Sequence, residues 1–294
     1  MYYRSLAALI WRNLTGRAAV GRNIETYPDD TFLVSFPKSG STWARFLVAN
    51  LVVQNEPVTF ANIDRIVPTI YIASKRVVYT LPRPRIIKSH ENFDPRYKRV
   101  IYIVRDPRDV VVSKYHHEVK FRRLEDGYPM ERMVKRWIAG EFDQCGSWGQ
   151  NVGTWLVARQ HSPNFLLLRY EDMLQQSVEQ LKKIASFLGI EASHDTLSQV
   201  AELSSADRMR AMEKLQSDVW KLTRNTRKDI AFVRKAKSGN YRSELPQESI
   251  AEIEAAWGPL MQKLGYDLAM DAAKIPSATW DSFHWLTWRQ QTNE

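Results

Sequence analysis

Short apolar runs alternate along this chain with longer segments in which apolar and polar residues mix. Residues 31–36, 99–104 and 164–168 are continuous apolar stretches, and residues 85–91 begin apolar and end polar. Runs this short and this continuous predict strands buried on both faces. Between them, residues 44–53, 110–118, 170–188 and 248–264 are long enough for helices, and Gly189 and Gly265 supply C-caps for the last two. Pro107 suits the first turn of the helix that precedes residue 118. Strands alternating with helices predict an α/β fold: a single domain with a central parallel sheet flanked by helices.

The flanks of that pattern differ from its centre. Residues 1–30 form a basic N-terminal segment with Tyr2, Leu6, Leu9, Ile10 and Leu14 at helical spacing, predicted to be a helix packed on the domain, with weak membrane-surface contact as the alternative. Residues 31–270 are the main domain. Within it, Pro57, Pro68, Pro82 and Pro84 break residues 55–84 into a long connection with short helices. Residues 271–294 carry Trp280, Phe283, Trp285 and Trp288, a tail expected to pack on the domain.

Charge narrows the partners. The 294 residues carry a formal net charge of +9, and Lys and Arg are spread along the chain rather than gathered in a tail. That favours a cationic cleft for a small anionic ligand over a polybasic arm for nucleic acid. The single Cys145 excludes an intrachain disulfide and predicts a reducing, cytoplasmic setting. Residues 6–11 are too short for a signal-peptide core, and no run approaches the ~18 apolar residues of a membrane span. No cluster with metal-ligand spacing is visible, so no metal is expected.

The candidate chemistry starts where the first strand ends, at Pro37-Lys-Ser-Gly-Ser-Thr-Trp43. A strand, a loop of small hydroxyl residues with Gly40 and Lys38, and a helix start are how backbone N–H groups are aimed at a phosphate. Ser39, Ser41 and Thr42 add hydroxyl donors and Lys38 adds charge. The order differs from a Walker A loop, where the lysine follows the second glycine. Here Lys38 precedes Gly40.

This heptapeptide resembles the 5′-phosphosulfate loop of the cytosolic-type sulfotransferases, enzymes that use 3′-phosphoadenosine 5′-phosphosulfate (PAPS). Further segments resemble that family in the same order. Lys88-Ser-His90 matches the family's Lys-Thr/Ser-His, whose histidine is the general base. Arg105 follows the third strand and Ser113 lies eight residues on, the spacing of the family's 3′-phosphate site. Tyr170 opens Tyr-Glu-Asp-Met, whose tyrosine touches adenine, and Trp43 is the adenine-stacking loop tryptophan. Arg234, Lys235 and Gly239 match the basic loop that closes over the 3′-phosphate, with Ala236 and Tyr241 in place of a Gly and a Trp. Trp137, Trp148 and Asn151 fall at family positions read as scaffold. Two departures stand out. Ala206 occupies the place of the second adenine-stacking Phe, so that face is either absent or supplied by Met209 or another residue. Pro246 and Gln247 occupy the Thr and Val places of a family dimer motif, so oligomeric state stays open.

The resemblance implies a P-loop-NTPase-like sulfotransferase fold. It implies in-line transfer of the sulfuryl group from PAPS to a hydroxyl, or secondarily an amine, of a small-molecule acceptor. His90 would take the acceptor proton, and Lys38 would stabilise charge on the leaving oxygen. The cofactor would be held by Lys38, Ser39, Gly40, Ser41, Thr42, Trp43, Arg105, Ser113, Tyr170, Arg234, Lys235 and Gly239. A P-loop-like nucleotide kinase and a non-catalytic basic nucleotide-binding module are the rival readings. The identity of the acceptor is not legible.

Overall fold

The computed structural model describes Thr15, residues 19–234 and residues 236–269. Most of the N-terminal helical segment, Lys235 and the Trp-rich tail lie outside these residues.

Four strands form one sheet: β1 (Thr31–Ser35), β2 (Ile86–Ser89), β3 (Arg99–Val104) and β4 (Phe165–Arg169). Their order is β2-β1-β3-β4 and every pairing is parallel. Register sets Thr31 beside Ile86 on one side and beside Arg99 on the other. The side chains of β1 show why it is central. Phe32 and Val34 join one core with Tyr102, Val104 and Trp155, while Leu33 joins the opposite core with Ile101, Ile103 and Leu47. All five residues of β1 are buried, so its continuous apolar character is what a doubly covered parallel strand requires.

The helices cover both faces, as the alternation predicted. Ser41–Val52 and Ser177–Leu188 lie on the Leu33 side; Pro107–Lys120, Trp148–Arg159 and Gln247–Lys263 lie on the Phe32 side. Trp137, Trp148 and Trp155 are buried, the scaffold role assigned to the first two. A buried ion pair, Arg85 Nη2 to Asp30 Oδ2 at 2.5 Å, ties the residue before β2 to the residue before β1. Among the described residues no helix is long and apolar enough to cross a membrane.

Three expectations change. The helix after β1 begins at Ser41, three residues earlier than predicted, because Gly40 adopts a left-handed φ of 93° and turns the chain at once. The stretch 170–188 is two helices, Tyr170–Gln175 and Ser177–Leu188, separated at Gln176 with φ −134° and ψ 51°. And β4 is not a buried strand. It is the sheet edge, where only Leu168 is fully buried and Leu167 is 36% exposed. The residues that predict an N-terminal helix, Tyr2 to Leu14, lie outside the described residues; between Ala19 and Asp30 there is a 3-10 turn, Gly21–Asn23.

Candidate active site

Parallel strands end on the same side, and ligands in open α/β sheets sit at those carboxyl ends. Each of the four strands here ends in a residue with chemistry. The turn after β1 carries Lys38, β2 is followed by His90, β3 by Arg105 and β4 by Tyr170. All four line one cavity of about 680 Å³.

The loop after β1 is shaped by close approach. A Cβ on Gly40 would lie 2.4 Å from Tyr170 Cδ2, so only glycine lets the tyrosine ring rest on the loop. Lys38 is also left-handed, with φ 69°. Ser41, Thr42 and Trp43 form the first helical turn and line the cavity. Ser39 does not: it is fully buried, and its Oγ finds no partner among the described residues. Trp43 meets Tyr170 edge to face at 5.7 Å, and the Arg105 guanidinium lies over the other aromatic at 4.3 Å from the Tyr170 ring centre.

Charge is concentrated here beyond what the protein itself neutralises. Burial first, and then the nearby cations Lys114, Arg105 and Arg234, pull the Lys38 amine down to about 7. Its Nζ sits 4.4 Å above the Phe232 ring. Among the described residues Arg105 has only a 3.8 Å ion pair to Asp109 and long contacts to the carbonyls of Lys38 and Lys237, and its buried Nε is without a partner there. Arg234 lines the cavity and pairs with Glu244 at 3.1 Å. Ser113 lines it one helix turn from Asp109. Gly239 does not reach the wall. Its N–H is committed to Asp109 Oδ2 at 2.7 Å, so it anchors the basic loop from behind.

His90 is held by the end of β1. Its Nδ1–H donates to the Ser35 carbonyl at 2.6 Å, which leaves the lone pair on Nε2. Lys88 Nζ contacts that Nε2. Burial and the Lys88 charge hold the imidazole well below its usual range, and burial with neighbouring Arg45 does the same to Lys88. Tyr71 stacks beside His90 with ring centres 5.9 Å apart and accepts from the His90 backbone N–H at 3.0 Å. This arrangement offers a neutral base beside a cluster of cations, suited to taking a proton while negative charge is held close by.

Residues 28–265 match the family model described as the sulfotransferase domain. The chain belongs to the sulfotransferase family. It is an enzyme, a sulfuryl transferase. Sulfotransferase 2B1 of Mus musculus is 29% identical to it over 237 residues, covering 77% of this chain and 69% of the relative. The 3-beta-hydroxysteroid sulfotransferase of Cavia porcellus is 27% identical over 238 residues, covering 77% and 81%. A crystal structure of mouse sulfotransferase SULT7A1 complexed with PAP superposes with a TM-score of 0.67 at 22% identity, covering 85% of this chain and 91% of that one. That likeness establishes the fold.

Several residues of the sulfotransferase cavity were not singled out from sequence. Tyr71 comes from the connection in which no residue declared itself. Lys114, His117 and Asp143 also line the wall. Lys114 and Glu118 are an i,i+4 pair at 3.1 Å, a signal that was present on the predicted helix. Asp143, which accepts from Lys114 at 2.6 Å, had no such signal because it lies on another segment. Ala206 and Met209 both line the cavity. Asn151 is structural: its Nδ2 donates to the carbonyls of His90 and Glu91, both at 3.2 Å, and fixes the turn after β2.

Proposed function

We propose that this sulfotransferase transfers the sulfuryl group of PAPS to a hydroxyl of a small-molecule acceptor, with His90 as general base. An amine is the second choice of acceptor group. The observation that carries the reading is the set of under-compensated cations at the strand ends. Burial first, and then Lys114, Arg105 and Arg234, lower the Lys38 amine, and cations gathered this closely suit a polyanion. The Arg105 guanidinium, whose buried Nε has no partner among the described residues and whose other nitrogens make only long contacts to them, has capacity for a phosphate. Arg234 and Ser113 line the same cavity and would share it, and the first turn Ser41–Trp43 would offer backbone N–H groups to a second anionic group.

PAPS supplies an activated sulfuryl group whose departure leaves adenosine 3′,5′-bisphosphate. The protein's part is orientation and charge. Lys38 stays near the anionic end and neutralises charge that builds on the leaving oxygen. His90 Nε2 receives the acceptor's hydroxyl proton once Lys88 yields that position. The relatives' names are consistent with a hydroxylated acceptor, and a cytoplasmic setting goes with the lone Cys145 thiol.

Calorimetry with adenosine 3′,5′-bisphosphate and AMP tests the donor half. Charge-assisted bonds to a 3′-phosphate are worth roughly 1.5–3 kcal/mol, so the bisphosphate is expected to bind ~10–100-fold more tightly. Transfer of label from ³⁵S-PAPS with divalent cations chelated tests the activity. Equal affinities for the two nucleotides would remove the 3′-phosphate assignment.

A further inference from the structure

The cavity contains a second imidazole that the transfer chemistry does not use. His117 lines the same wall as Lys38, one face of its ring stacked on Phe121 at 4.1 Å and an edge toward Phe232 at 6.2 Å. Phe232 is the ring beneath the Lys38 amine, so His117 stands about one aromatic ring away from the loop that holds the reacting group. Its Nδ1–H donates to Glu118 Oε1 at 3.0 Å. Glu118 is itself fixed by Lys114 at 3.1 Å and by Arg123 at 3.6 Å.

These bonds decide what His117 can offer. With Nδ1–H given to the carboxylate, the lone pair is on Nε2. Nε2 has no hydrogen-bond partner among the described residues and is not among the buried unsatisfied atoms, so it is open to the cavity. Burial, Lys38 and Lys114 hold the imidazole down at about 3, against the opposing pull of Glu118, so Nε2 is an acceptor throughout the working range. The contrast with His90 is informative. His90 Nε2 already has Lys88 on it, whereas among the described residues His117 Nε2 has no donor.

We propose that His117, oriented by Glu118, selects the acceptor: its Nε2 accepts a hydrogen bond from a second O–H or N–H group of the molecule being sulfated. The substrates of this enzyme are then compounds with at least two donor groups, one transferred to and one held. The inference rests on the reading of this cavity as the site of sulfuryl transfer. A site built to bond a hydroxyl discriminates against the analogue that lacks it, because the buried partner is left unpaired.

The test uses full-length enzyme, labelled PAPS and four probes of one scaffold: phenol, catechol, resorcinol and hydroquinone. At least one diol is expected to exceed phenol in kcat/KM by roughly tenfold beyond the statistical factor of two, the size of one neutral hydrogen bond. In His117→Phe, which keeps the ring stacking, that ratio should fall to about the statistical factor, with the change mainly in KM. His117→Gln, whose amide oxygen reaches the place of Nε2, should restore part of it. Binding of adenosine 3′,5′-bisphosphate to each variant reports whether the fold and the donor site survive. Proton-detected nitrogen spectra of the wild-type bisphosphate complex give a readout without turnover, since titration with the preferred diol should move the His117 Nε2 resonance and phenol should not. The proposal is overturned if no diol is preferred, if the preference survives His117→Phe, or if that variant loses phenol and diol transfer equally. Absence of transfer to any probe together with no bisphosphate binding would instead strike the functional reading itself.

Discussion

Binding of the bisphosphate product should take up a proton, and Lys38 is the reason. In the ligand-free protein its amine is lowered to about 7 by burial and by Lys114, Arg105 and Arg234, with Glu118 opposing. At pH 8 such an amine is roughly one-tenth charged. An anionic ligand placed against it offsets both the burial and the repulsion and returns it toward its ordinary value near 10.4, so it becomes almost fully charged. The complex should therefore absorb ~0.9 proton per ligand at pH 8, and Lys38 contributes ~0.5 at pH 7. The sign follows from linkage. Because the bound state holds more protons, affinity must fall as pH rises, approaching tenfold per pH unit above about pH 8. The phosphate's own second ionisation, near pH 6, is complete in that window. The assay is calorimetry in buffers of different ionisation enthalpy, which gives the proton count directly. His90, Lys88 and His117 are also lowered and could contribute, so Lys38→Ala is the control. It should lose most of the uptake at pH 8. No uptake in the wild type, or the same uptake in the variant, would refute the argument that Lys38 carries the compensating charge.

Two further outcomes follow from the geometry. His90→Ala should lower turnover by ~10²–10⁴-fold, with bisphosphate affinity close to wild type by calorimetry; turnover near the wild-type value would place the base elsewhere. Gly40→Ala puts a Cβ at 2.4 Å from Tyr170 Cδ2 in a backbone with φ 93°. It should cost ~1–3 kcal/mol in urea denaturation and weaken the bisphosphate further by displacing the Tyr170 ring, whereas unchanged affinity would show that the ring gives way freely.

The loop and the strand ends were legible because their signals are local. A continuous apolar run followed at once by Lys38, His90 or Arg105 states both a buried strand and a polar residue at its carboxyl end. The edge position of β4 was not legible. Phe165, Leu166 and Leu167 have the apolar content of a central strand, and only the order β2-β1-β3-β4 says that none of the described residues pairs on their outer side. Nothing in the local sequence accounts for the break at Gln176.

The chain's own order of residues determined the α/β alternation, the phosphate loop, the base candidate and the family. Tertiary structure decided what those groups experience. The lowered Lys38 amine requires the fold to bury it and to bring Lys114, Arg105 and Arg234 up to it. Gly239, placed by motif among the cofactor contacts, turns its N–H to Asp109, 130 residues earlier, and so supports the basic loop instead of facing the cavity. His117 became visible as a recognition element only when Glu118 was seen to take its Nδ1–H and the cavity to receive its Nε2. Residue type and spacing fix what a group can do; its charge state and its free lone pair depend on neighbours brought together through space, because Coulomb and desolvation terms act over distance, not along the sequence.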